Sequence, residues 1–127
     1  RCEKALASGA DAVVIDLEDA VPAAEKVAAR QQVAAWLTPE RHVIVRVNAF
    51  GTEWFHDDVG VCRKGVAGVM LPKVEDDRQI VALHTHIGAH MGAHVGHSTL
   101  VLPIHFPSPT VGRVTALAKG FDYKFVR

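Results

Sequence analysis

GADAVVIDLEDAVPAAEKVAARQQVAAWL, residues 9–37, is the stretch on which the fold turns. Ala12 to Leu17 is a short, almost continuously apolar run rich in branched residues, the composition of a strand buried on both faces. Pro22 can take the first helical position, and Ala29, Val33, Trp36 and Leu37 then recur at helical spacing. Residues 22–37 are therefore predicted to form a crossover helix with one apolar face.

The pattern continues outward from this unit. Val43 to Val47, Val66 to Leu71 and Thr99 to Ile104 are further apolar runs of strand length, and Glu53 to Arg63 and Asp76 to Ala89 carry weaker helical patterns between them. Strand and helix alternate with a repeat of roughly 25 to 35 residues, which predicts parallel β/α units with right-handed crossovers. Alternation alone leaves a closed eight-stranded barrel and an open doubly wound sheet equally available. Upstream, RCEKALASGA reads as the end of a helix stopped at Gly9, and with Arg1 in first place a preceding segment is expected.

At 127 residues the chain has room for one core, so residues 1–127 are read as a single domain. Fourteen basic residues balance fourteen acidic ones, which argues against nucleic acid or an anionic membrane surface as a partner and requires any charged ligand to be bound locally. Cys2 and Cys62 have neither CxxC spacing nor a disulfide pattern, a usage that fits a reducing cytoplasm. No apolar run approaches the roughly 20 residues needed to span a bilayer.

Polar groups collect where each strand ends. Asp16, Glu18 and Asp19 follow the first, Arg46 and Asn48 the second, Lys73 and Glu75 the third. In a parallel barrel these ends open onto one rim, so the strand ends favour the barrel and predict a shared cavity. Acidic groups there can orient a hydrated magnesium ion, and an arginine can hold a carboxylate or a developing enolate oxygen. Any one such charge could merely be a solvated loop residue. Arg46 differs, because it stands inside VIVRVN between apolar neighbours, where a long cation is rarely kept without an anionic partner.

The segments GADAVVIDLEDAVPAAEKVAAR, VIVRVN, GTEWFHDDV and GVMLPKVE, in this order and spacing, resemble the citrate lyase β-subunit and malyl-CoA lyase family. The DLED phrase separates this branch from the related 2-oxo acid aldolases. The resemblance implies an α/β fold: a partial (β/α)8 TIM barrel, about strands 2–5, with a parallel sheet. It also implies a magnesium-dependent carbon–carbon lyase that cleaves the CoA thioester of a 3-hydroxy acid, or condenses an acyl-CoA with a 2-oxo acid. Such a protein is cytoplasmic and, when intact, a homo-oligomer. Carried over by position, Arg46 is the catalytic arginine that stabilises the thioester enolate. Arg46, Asn48 and Lys73 bind substrate, Glu75 joins the same rim, and Glu18 and Asp19 contact the metal through water. Two positions depart from the pattern. Where the family places a metal-ligating glutamate in a phrase like LPLIET, this chain reads LVLPIHFPSPTVGR, with His105 or Phe106 at the site. The aspartate of a later FGxxD phrase has only Asp122 as a counterpart. The direct metal ligands are thus expected to be missing and the chain to be an incomplete, inactive fragment.

HTHIGAHMGAHVGH, beginning at His84, places His86, His90 and His94 one helical turn apart and His97 three residues further. The spacing allows a soft-metal site, but Gly88, Gly92 and Gly96 weaken a helix there, which favours a solvated crossover. Other functions stand beside the lyase: a non-catalytic remnant that keeps the strands and binds no metal, or a 2-oxo acid aldolase-like protein. A small open-sheet module for a phosphorylated ligand is disfavoured because no GxGxxG follows a strand.

Overall fold

The computed structural model describes residues 2–62, 66–91, 99–104, 111–117 and 120–126, with side chains through residue 87. Helix α1 (Cys2–Leu6) leads to strand β1 (Val13–Asp16), a short 3-10 turn (Ala23–Glu25) and helix α2 (Lys26–Trp36). Strand β2 (Val43–Arg46), helix α3 (Phe55–Cys62), strand β3 (Gly68–Pro72), helix α4 (Asp77–Met91) and strand β4 (Thr99–Ile104) complete the β/α run. The four strands lie side by side in chain order, each parallel to the next, as short right-handed crossovers require.

Burial follows the position of each strand in the sheet. Val43, Val45, Val69 and Leu71 are fully enclosed on the inner strands, whereas Val14 on the edge strand β1 is 46% exposed. Continuous apolar runs therefore correspond to double-sided burial only where a neighbouring strand covers both edges. From the helices, Val33, Phe55, Val59, Ile80, Leu83 and Ile87 close over the sheet to form one core. The loop that follows α1 turns at Gly9, whose φ of +79° is the left-handed conformation that stops a helix. Glu3 then ties α1 to its surroundings, accepting from Trp36 Nε1 at 2.7 Å and from Arg41 at 2.9 Å.

Three local features differ from expectation. Pro22 precedes the 3-10 turn rather than opening α2, which begins at Lys26. The Glu25 N–H bonds Pro22 O at 2.9 Å, so the fixed proline φ starts a tight turn before the helix proper. Strand β3 starts at Gly68, two residues later than its apolar run, and extends to Pro72. Beyond β4, strands β5 (Val111–Leu117) and β6 (Gly120–Val126) extend the sheet as an antiparallel hairpin. Reading that tail only for ligand motifs missed its alternation of apolar and polar residues, the period of a strand.

Candidate functional site

Asp16 and Arg46 are the last residues of adjacent strands and register partners across the β1–β2 ladder. The Asp16 carboxylate receives Arg46 Nε at 2.9 Å on one oxygen and an Arg46 terminal nitrogen on the other. The same carboxylate accepts the Glu18 N–H at 2.8 Å and the Ala20 N–H at 3.2 Å, so it also shapes the turn that carries Glu18 and Asp19. Burial alone would raise the Asp16 pKa, but the arginine and these two amide donors outweigh it and hold the carboxyl below its ordinary value. Arg46 is correspondingly raised by its hydrogen bond to Asp16.

The remaining Arg46 nitrogen lies 3.4 Å from Glu18 Oε2 and 3.7 Å from Asp19 Oδ2. Glu18 is buried, and its other oxygen, Oε1, pairs with Lys73 Nζ at 2.8 Å. The interaction raises the Lys73 pKa. Lys73 has φ +53°, a left-handed backbone that a side-chain-bearing residue rarely adopts and that often accompanies function. Arg46, Glu18, Asp19 and Lys73, named from the sequence, therefore meet at one end of the sheet. Asp16, counted among the strand-end charges but given no role of its own, is the direct partner of Arg46. Its signal was positional: two strands of equal length each ending in a charge of opposite sign.

Beneath this cluster lies a buried polar layer that the sequence reading missed. Lys26, 7% exposed, donates to Leu17 O at 2.9 Å and Glu18 O at 2.8 Å, with its ammonium 5.1 Å from the Trp54 ring centre. These are carbonyls that the chain leaves behind as β1 ends, so the lysine replaces ladder partners. Asn48 donates through Nδ2 to Leu17 O at 2.9 Å and to Asp58 Oδ2 at 2.6 Å. Both amide protons are thus committed, and any contact Asn48 makes to a bound molecule would run through Oδ1. Asp58, 1% exposed, also accepts the Asn48 backbone N–H at 2.9 Å and pairs with Arg30 at 3.2 Å. Lys26 has no role in the sequence reading. Only its proximity to the Leu17–Glu18 turn marks it out.

A cavity of about 360 Å³ opens beside these groups, with Glu18, Asp19, Lys26, Asn48, Trp54 and Lys73 in its wall. Arg46 is outside that wall and touches two of its residues, Glu18 and Asp19. Glu75 is exposed and lies outside the lining; its N–H bonds Gln79 Oε1 at 3.0 Å. A larger hollow of about 520 Å³ runs between α1, β1 and α2, but its wall is mainly apolar, so the chemistry belongs to the smaller one. His105 and Phe106, at the position of the expected glutamate, lie outside the described residues, while Asp122 falls in β6 opposite Thr115. Among the described residues no group of three histidines, cysteines or carboxylates is arranged to hold a metal ion.

An α/β protein with charged groups gathered at the ends of parallel strands is the class that this geometry defines. The profile of the HpcH/HpaI aldolase/citrate lyase family matches residues 2–105, and the chain belongs to that family. A citrate lyase subunit beta-like protein of Deinococcus radiodurans is 47% identical over 78 residues, covering 54% of this chain and 27% of its own. A (3S)-malyl-CoA thioesterase of Cereibacter sphaeroides is 42% identical over 86 residues, 64% of this chain and 30% of its own. Among solved structures, the citrate lyase beta subunit of M. tuberculosis complexed with oxaloacetate and magnesium superposes with a TM-score of 0.56 at 35% identity, over 80% of this chain and 42% of that one. The chain thus spans less than half the length of each of these three proteins.

Proposed function

We propose that this chain carries part of the active site of a magnesium-dependent carbon–carbon lyase acting on the CoA thioester of a 3-hydroxy acid, or running the reverse condensation with a 2-oxo acid. The observation that carries this reading is the convergence of Arg46, Glu18, Asp19 and Lys73 at the carboxyl ends of β1, β2 and β3. Similarity to a malyl-CoA thioesterase and to a lyase subunit bound to oxaloacetate and magnesium supports the substrate class.

Each role follows from the contacts. Asp16 occupies Nε and one terminal nitrogen of Arg46, and the other, held only loosely by Glu18 at 3.4 Å and Asp19 at 3.7 Å, is the one that can bond an enolate or carboxylate oxygen. Lys73, 59% exposed at its side chain, adds a second cation for an anionic substrate, and Asn48 offers Oδ1. The donor set suits magnesium only through its water: Asp19 is exposed, and it and the Lys73-paired Glu18 stand in the cavity wall, where carboxylate oxygens can accept from a hydrated ion. Magnesium, when bound, polarises the oxo group of the substrate. The described residues supply no group of three side chains that could ligate it directly. The fold is read as part of a (β/α)8 barrel that forms one domain, belonging to a cytoplasmic homo-oligomer.

The same absence of a ligand group favours a second reading, that the chain alone is a non-catalytic remnant. Calorimetry of the purified chain with magnesium and a 2-oxo acid, beside a coupled assay for CoA thioester products, tests both. The expected result is millimolar-class magnesium affinity without turnover, with turnover restored in a longer protein that supplies the ligands. Micromolar binding with turnover by this chain would discard the remnant reading. A longer protein that binds magnesium but processes no CoA thioester would discard the lyase.

A further inference from the structure

The histidine-rich segment has a counterpart on another helix that its own spacing does not reveal. His56, in the first turn of α3, and His86, in α4, bring their rings to a centroid separation of 4.7 Å with 54° between planes. Both lie against Phe55, which is 1% exposed and fixes the floor: its ring centre is 5.3 Å from that of His56 and 6.4 Å from that of His86. His56 is exposed and His86 half-buried, so solvent reaches the pair.

We propose that His56 and His86 form a two-histidine site for a divalent transition ion of the zinc, nickel or copper class, clamping α3 to α4. With metal–nitrogen bonds of about 2.0 to 2.1 Å, two imidazoles on one ion hold their ring centres roughly 4.5 Å apart at a right angle and roughly 5.2 Å apart at the tetrahedral angle. The observed 4.7 Å falls between these limits, so the ring spacing already matches a shared ion and the nitrogens are brought to it by ring rotation. Imidazole nitrogen suits these ions and not magnesium, which separates this site from the oxygen-rich cluster around Glu18. The positive end of α3 opposes a cation, and Asp57 and Asp58 in the same turn are paired with Arg30, so the imidazole nitrogens carry the binding. Waters complete the coordination.

The test is binding of nickel and copper to the full 127-residue chain, to His56→Ala and to His86→Ala, with circular dichroism confirming that each variant folds. His56 is exposed and outside the 84–97 segment, so its removal spares both the core and the other histidines. The site requires a single-ion affinity that falls about tenfold or more in either variant, a metal-induced rise in melting temperature that is lost in His56→Ala, and a copper EPR signal that passes from two equatorial imidazoles to one. Unchanged affinity and thermal shift in His56→Ala would assign binding to the 84–97 segment alone and overturn the proposal, as would the absence of binding to the unaltered chain.

Discussion

Arg46 and Asp16 are cross-strand partners whose charges meet at the end of the β1–β2 ladder, and the pair orders both the guanidinium and the turn bearing Glu18 and Asp19. In an active longer protein, Arg46→Lys should lower kcat/KM strongly, because an ammonium cannot span both Asp16 oxygens and still present a donor toward the cavity. Near-normal kinetics in that variant would remove Arg46 from the mechanism.

The same pair makes stability depend on pH. The folded Asp16 carboxyl is held below its unfolded value, so its contribution is complete above the usual carboxylate pKa of about 4 and is lost as pH falls through the lower folded value. Asp16→Asn should cost about 1 to 3 kcal/mol near neutrality, where it removes a charge-assisted bond. Urea titrations of both proteins should show the gap shrinking below about pH 4; a gap independent of pH would mean that the carboxylate charge is irrelevant there.

Lys26 offers a test of the buried layer. Lys26→Met keeps most of the volume but removes a charged donor within 3 Å from each of the Leu17 and Glu18 carbonyls, which keep only Asn48 Nδ2 and the Val21 N–H, respectively. A loss of about 1 to 3 kcal/mol in denaturant unfolding is expected. A variant as stable as the parent would show that water replaces the ammonium freely.

Asp58→Ala should be costlier, about 3 to 5 kcal/mol, because it leaves Arg30 without its buried partner and the Asn48 amide without an acceptor. Asp58→Asn should recover part of this, since one acceptor oxygen remains. Equal losses in the two variants would point to charge, not hydrogen bonding, as the main contribution.

Cys62 should be inert in the folded protein. Burial pushes its thiol up to about 12, so little thiolate exists at pH 8, and the side chain is 3% exposed. Alkylation at pH 8 should label the half-exposed Cys2 and spare Cys62 until denaturant is added. Equal labelling under native conditions would contradict the packing of α3 on the sheet.

The order and direction of β1 to β4 were legible because runs such as Val66 to Leu71 carry no polar side chain and Val43 to Val47 carries only Arg46, and such runs separated by helical patterns leave little choice but parallel units. The gathering of Arg46, Glu18, Asp19 and Lys73 was legible too, since residues that follow parallel strands share one end of the sheet. What the linear chain could not show was partnership at atomic range. Asp16, and not Glu18 or Asp19, takes the Arg46 fork because the β1–β2 register sets those two residues opposite each other. Lys26 and Asp58 are ordinary polar residues in sequence, Asn48 was read only as a substrate contact, and the three become a buried layer only because strand ends leave carbonyls and amides that some side chain must satisfy. Register and hydrogen-bond completion are properties of packed elements, and they alone decided which charges are paired and which remain free to meet a ligand.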